Sequence, residues 1–319
     1  MRDRVEHMNG SIFDSICDAL GDEGFLPEDY SLPEKESVNG VKFADGAMDG
    51  ILIYHSSFPV IEDADKAEIL EMLNIANNGE SDNAEEAFSK FCKKHRAIVI
   101  IDDIQDVILD HKDELEIDQM VRFATGLITG STDREVIKVG LIILELVDTS
   151  GDPDLMRIIR TIGLSDEFTI YSVFIMRHWP DGQMEILDLA KRVHGWGRVH
   201  CVRFIEPENQ EIKHWLLTNG IDNSVMPEYS ALTVFNKAGI SEMLDRNDLN
   251  DDDKRSILKI IDHMLVEGPV TGISGVEDPP ETLAKVLDMA SGLDSDDEEK
   301  RIIGDITELH RQMTYNNRD

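Results

Sequence analysis

The sequence predicts an all-α protein, a HEAT/armadillo-like α-solenoid of helical pairs preceded by a small N-terminal mixed region. Three observations predict it. Aliphatic residues and alanine are plentiful while aromatics make up only 6% of 319 residues, a balance that favours helices over a β-sandwich. From Asp65 onward apolar residues recur at helical spacing. Between about residues 117 and 240, four glycines each close one helix ahead of a cap and a second apolar helix. These are Gly130, Gly163, Gly195 and Gly220, at intervals of 33, 32 and 25 residues. Two helices per ~33 residues is the length of one helical-repeat unit. A helix pair cannot cover its own apolar faces, so pairs stack and the core runs along the array. An irregular helical bundle is the alternative.

Residues 11–21 (SIFDSICDALG) place Ile12, Phe13, Ile16 and Leu20 at helical spacing, with Ser11 as the cap and Gly21 as the stop. Residues 22–64 break that pattern with Pro27, Pro33 and Pro59. Within them Val41–Phe43 and Ile51–His55 are β-prone and suggest a hairpin across a Gly-rich turn. AEILEMLNIANNG then ends on Asn-Gly. NAEEAFSKFCKKH carries acids early and bases late, matching the helix dipole, and AIVIIDDIQDVIL turns amphipathic at its end.

In the repeat region DPDLMRIIRTI, GQMEILDLAKRV and NQEIKHWLLTN supply the short helices between the glycines. Ser131, Thr132, Asp133, Ser165 and Asp166 supply cap oxygens. Gly130 and Gly163 are expected to turn left-handed where the preceding helix ends. Three charged helices follow, with 268–280 as the candidate linker and the last two helices as a cap. The expected domains are therefore 1–64, a mixed segment; 65–267, the helical repeats; and 268–319, the helical cap.

The net charge of −34 is unevenly placed: −19 in residues 1–120, −4 in 121–240 and −11 in 241–319. Such a field repels phosphate backbones, so no nucleic-acid partner is expected, and solubility explains much of the excess. Cys17, Cys92 and Cys201 are scattered without CxxC spacing, which indicates free thiols in a reducing compartment. The N-terminal MRDRVEHMNGSIFD has no apolar signal region and no apolar run is long enough for a bilayer, so a cytoplasmic protein without a membrane partner is expected.

Four strings, FADGAMDGI at 43–51, RTIGLSDEFTIYSVFIMRHW at 160–179, KRVHGWGRVHCVRFIEP at 191–207 and WLLTNGIDNSVMPEYSALT at 215–233, carry a resemblance. Together they resemble a group of uncharacterised bacterial helical-repeat proteins, found mostly in Firmicutes and actinobacteria, some of which are labelled limonene hydroxylase. The resemblance covers roughly residues 40–245. The label implies hydroxylation, and each route to that chemistry needs residues of its own. A haem-thiolate site needs a cysteine in a haem-binding loop, where none of the three sits. A flavin or nicotinamide site needs strand–GxGxxG–helix, and Gly195-Trp196-Gly197 lacks both the third glycine and the strand. A non-haem iron site needs two histidines and a carboxylate, and no diagnostic spacing links the ten histidines. Neither catalytic residues nor a cofactor are therefore expected. His194 and His200 are six apart and do not share a helix face, so no metal site is expected.

The candidate binding residues cluster in one locally basic stretch of this acidic chain. Between Arg177 and Arg203 five bases face three acids, and Trp179, Trp196 and Trp215 fall within 37 residues. Arg177, His178, Trp179, His194, Trp196, Arg198, His200 and Trp215 suggest a recognition surface, with Glu228 and Tyr229 positioned to orient Arg198. Gly195 and Gly197 would allow close backbone approach at a helix start whose N–H groups receive an anion. The competing reading is structural: tryptophans fill the space between layers and Arg and His tie loops to carbonyls. The expected function is a cytoplasmic binding or scaffolding protein for a protein or peptide partner, using the surface around HGWGR. The alternatives are an enzyme or receptor for a small anionic ligand near Trp196 and Arg198, and an acidic inhibitor or immunity-type protein that masks a basic partner. The oligomeric state has no sequence signal.

Overall fold

A computed structural model describes residues 10–38, 40–246 and 248–316. The N-terminal stretch read for a signal sequence lies mostly outside these residues. The protein is mostly helical. Among the described residues there are seventeen α-helices and one ladder of two-residue strands. The chain divides into two compact units, residues 1–200 and 201–319.

The first unit begins with α1 (Ile12–Ala19), whose N-cap Ser11 and Asp14 form a reciprocal capping box. Strands β1 (Ser37–Val38) and β2 (Val41–Lys42) pair antiparallel. The hairpin suggested by the sequence is therefore displaced. Val41 pairs backwards with residue 38, and Ile51–His55 is helical, part of α2 (Ala47–His55). The physical reason is Gly46, which sits at φ 74° as the N-cap of α2 and so starts a helix where a turn was expected.

Helices α3 (Asp63–Asn77) and α4 (Ser81–Cys92) pack as a pair, and a 3-10 turn at Ala97–Val99 leads into α5 (Ile101–Asp110). Then come α6 (Ile117–Gly130), α7 (Arg134–Glu145), α8 (Pro153–Gly163), α9 (Thr169–Met176) and α10 (Gly182–Ala190). Helix α6 packs on α7, and α8 on α9. Helix α7 is the centre of the unit and also packs on α4, α5 and α9. Every residue from Val136 to Leu144 is buried, which requires a helix apolar on all sides, and VIKVGLIIL is that except for one lysine.

Gly130 and Gly163 are not left-handed; each is the last residue of its helix. Gly163 is small for packing instead, since a Cβ there would stand 2.8 Å from Cβ of Ser172 on α9. The left-handed C-cap falls later, at Gly239.

Helix α11 (Trp196–Phe204) crosses from the first unit into the second. The second unit continues with α12 (Gln210–Asn219), α13 (Glu228–Ala238), α14 (Ile240–Leu244), α15 (Asp251–Met264), α16 (Pro279–Ala290) and α17 (Asp297–Asn316). Here α12 pairs with α13 and α16 with α17, and α15 packs on α12, α13, α16 and α17. The candidate linker is an ordered loop: Glu267 accepts hydrogen bonds from the N–H groups of Gly272 and Ser274, and Ile273 is buried. No helix among the described residues is long and apolar enough to cross a membrane.

Candidate functional site

The most unusual feature of the first unit is a charged cluster in its interior. Lys138, Asp49 and Glu167 have side chains 0%, 1% and 2% exposed. Burying a charge is costly unless it is paired and hydrogen-bonded, and here every member is. Lys138 Nζ lies 2.8 Å from Asp49 Oδ2, 2.8 Å from Glu135 Oε1 and 2.6 Å from Glu167 Oε1. Tyr171 Oη donates to the same Asp49 oxygen at 2.8 Å. Arg96 donates to Glu36, to Asp49 at 3.0 Å and to Glu135 at 3.2 Å. Arg134 bridges Asp45 at 2.9 Å and Glu167 at 3.1 Å. Backbone N–H groups complete the set, Gly46 donating to Glu167, Leu32 to Asp45 and Ala97 to Glu135.

Three cations thus meet five carboxylates, and their origins are instructive. Arg134, Glu135 and Lys138 share the start of α7, Glu167 and Tyr171 come with α9, and Arg96 precedes the 3-10 turn. Glu36 immediately precedes β1, Asp45 lies between β2 and α2, and Asp49 is in α2. Burial by itself would raise the Asp49 carboxyl, but Lys138 and Arg96 hold it below the ordinary value. Burial would lower Lys138, yet Asp49, Glu167 and Glu135 raise it well above its usual range, which favours the ammonium form.

A second, half-buried acid adjoins the cluster. Asp166 receives the N–H groups of Gly195 and Gly197, the latter at 3.1 Å, so the anion expected at the start of the HGWGR helix is the chain's own carboxyl. Burial pushes Asp166 up to about 7, with Asp45 and Glu167 adding to the rise and the two N–H donors opposing it. Gly197 is required here, because a Cβ would lie 2.5 Å from Asp166 Oδ1 and Thr169 Oγ1.

The sequence-predicted residues are placed as follows. Trp196 is 5% exposed and packs against α2, where a Cβ on Gly50 would be 2.2 Å from Cε3 of the indole. His200 is fully buried with its ring centroid 5.9 Å from that of Trp196. Trp179 is buried and donates from Nε1 to Thr149 at 2.8 Å, with the Arg160 guanidinium over its ring. Arg177 and His178 are exposed, Arg177 pairing with Glu145 at 2.8 Å. His194 is exposed and Arg198 half-buried. In the second unit Trp215 and Tyr229 are buried, and Glu228 pairs with Nδ1 of His263 at 3.1 Å. The three tryptophans are therefore internal.

Sequence reasoning missed Arg96, Arg134, Lys138, Glu36, Asp45, Asp49, Glu135 and Glu167. A signal existed: a lone charge inside an apolar run, Lys138 in VIKVGLIIL and Asp49 in AMDGILIY, marks a buried ionisable group. Beside the cluster lies a cavity of about 520 Å³, lined by Ser11, Leu32, Glu36, Arg96, Arg134 and Glu135 among others. Among the described residues no group of three or more His, Cys, Asp or Glu is arranged to hold a metal ion. No disulfide joins the three cysteines; Cys17 is exposed, and Cys92 and Cys201 are buried. The fold and site thus define an all-helical protein with a buried ionic cluster. No protein-family model matches the sequence, and neither a curated protein nor a solved structure is significantly similar to it.

Proposed function

We propose that this chain is a non-enzymatic, HEAT-like helical-repeat protein of the cytoplasm that binds a basic protein or peptide partner. The succession of helix pairs supports the repeat reading, and the pattern of exposure supports the partner. The cations nearest the centre of the first unit, Arg96, Arg134 and Lys138, are spent on internal carboxylates. What faces outward around the end of α5 and the start of α6 is predominantly acidic: Asp102, Asp106, Asp110, Asp113, Glu114, Glu116 and Asp118 are all exposed, against one exposed cation, Lys112.

The observation that carries the proposal is that Leu109 and Ile117 sit in this stretch 52% and 65% exposed. Apolar side chains rimmed by acids suit an amphipathic, lysine- or arginine-rich segment. We favour this surface over HGWGR because Trp196 and His200 are buried, although His194 is exposed and Arg198 half-buried. Masking such a partner is the same chemistry put to an inhibitory use.

The test is titration of a lysine/leucine amphipathic peptide into the protein. Replacing Leu109 and Ile117 by Ser, with Asp110 and Glu114 changed to Asn and Gln, should weaken binding at least ~10-fold, about 1.4 kcal/mol. Neutralising two exposed acids of α17 should change it far less. Equal effects would reduce the interaction to non-specific charge attraction and contradict the proposal. A second reading, a receptor for a small polar ligand, is favoured by the cavity beside Arg96 and Arg134; a thermal-shift screen of small carboxylates and phosphates tests it.

A further inference from the structure

The segment from Glu36 to His55 is attached unlike the rest of the first unit. Within α2 only Ala47, Asp49 and Gly50 are buried, and Ile51, Leu52, Ile53 and Tyr54 remain half-exposed. By contrast α7 is buried along nine consecutive residues. What fixes the segment is mainly polar: Glu36 on Arg96, Asp45 on Arg134, Asp49 on Lys138, Arg96 and Tyr171, and the Gly46 N–H on Glu167. Its apolar seat is the Trp196 indole, against Gly50 and the Tyr54 ring. Two glycines let it lie close. A Cβ on Gly46 would stand 2.4 Å from the Asp166 carbonyl oxygen, and one on Gly50 would enter the Trp196 ring.

The cations it rests on do not depend on it alone. Without the segment, Lys138 keeps Glu135 and Glu167, Arg134 keeps Glu167, and Arg96 keeps Glu135. We infer that residues 36–38 and 40–55 form a releasable strap, an internal acidic ligand latched onto a floor of Arg96, Arg134 and Lys138, that opens while the helices beneath remain folded. Opening exchanges the strap's three ion-paired anchors for water, keeps the helical core covered by its own pairs, and bares the apolar run ILIY together with the cationic floor. Elements held by few apolar contacts are those that open below the global unfolding free energy.

Native-state hydrogen exchange on the full chain tests this. After correction for intrinsic rates, amides of α2 should exchange at least ~100-fold faster than those of Ile137–Leu144 in α7. The variant Glu36→Gln/Asp45→Asn, which loosens two anchors and leaves Lys138 and Asp49 in place, should speed α2 by a further ~10-fold and leave α7 unchanged. Equal protection of α2 and α7 in the wild type would overturn the inference. So would a variant in which both accelerate together, or one that fails to fold, because the anchors would then hold the whole unit rather than a strap.

Discussion

Lys138 and Asp166 illustrate how burial and partners divide the work at single positions. Lys138 is kept charged by three carboxylates, whereas Asp166 has two N–H donors and two like charges nearby and rises to about 7. A carboxyl raised in the folded state from its ordinary 3.8 contributes stability that is fully present below that value and lost as pH rises through about 7. Asp49 works in the opposite sense: its lowered value contributes stability above the ordinary range, lost on acidification. Asp166→Asn should therefore flatten the fall in stability between pH 4 and 7 and leave the variant more stable than wild type at pH 8 by roughly 2–4 kcal/mol. Urea unfolding across that range measures it, and parallel profiles for the two proteins would show that Asp166 carries no such proton linkage. The residues themselves were visible in the sequence, but the long-range pairing was not. Asp49 and Lys138 lie 89 positions apart, and no local period connects them.

At the scale of elements, the helices were legible because each carries its own instructions. Ser11 with Asp14, Asp133, Asp152 with Pro153, and Asn250 cap their helices as such residues do. The strap was misread because its order is set from outside. AMDGILIYH has the composition of a strand, yet Gly46 opens a helix against Trp196 and the charges of α7 and α9 hold it there. That contact makes a specific demand on size. Gly50→Ala should cost about 1–3 kcal/mol from overpacking against the indole, although alanine is the better helix former. If thermal unfolding shows Gly50→Ala to be neutral or stabilising, the close approach of α2 to Trp196 is absent. The HGWGR string, read as a surface for its Trp, Arg and His, gains a different sense beside Asp166: its glycines admit an internal carboxyl and its tryptophan seats the strap.

For the molecule as a whole, the near-neutral middle of the sequence and its acidic flanks have one structural counterpart in the first unit. Arg134 and Lys138 of the middle are turned inward, and acids of the flank are either drawn in to meet them, as Asp45 and Asp49 are, or left facing solvent. The composition made an acidic surface legible. It did not show that Asp45 and Asp49, part of that same acid excess, are interior. The central claim is that this inward pairing stabilises the folded first unit and latches the N-terminal strap onto its helical array. Equilibrium urea unfolding of Lys138→Met, beside Lys138→Met/Asp49→Leu, tests it most directly. Removing the cation leaves Asp49, Glu135 and Glu167 crowded around an apolar side chain, with only Arg96 and Arg134 left to balance them. The single variant should therefore lose about 3–5 kcal/mol, and the double variant should recover part of that loss. A single variant within about 0.5 kcal/mol of wild type would contradict the account.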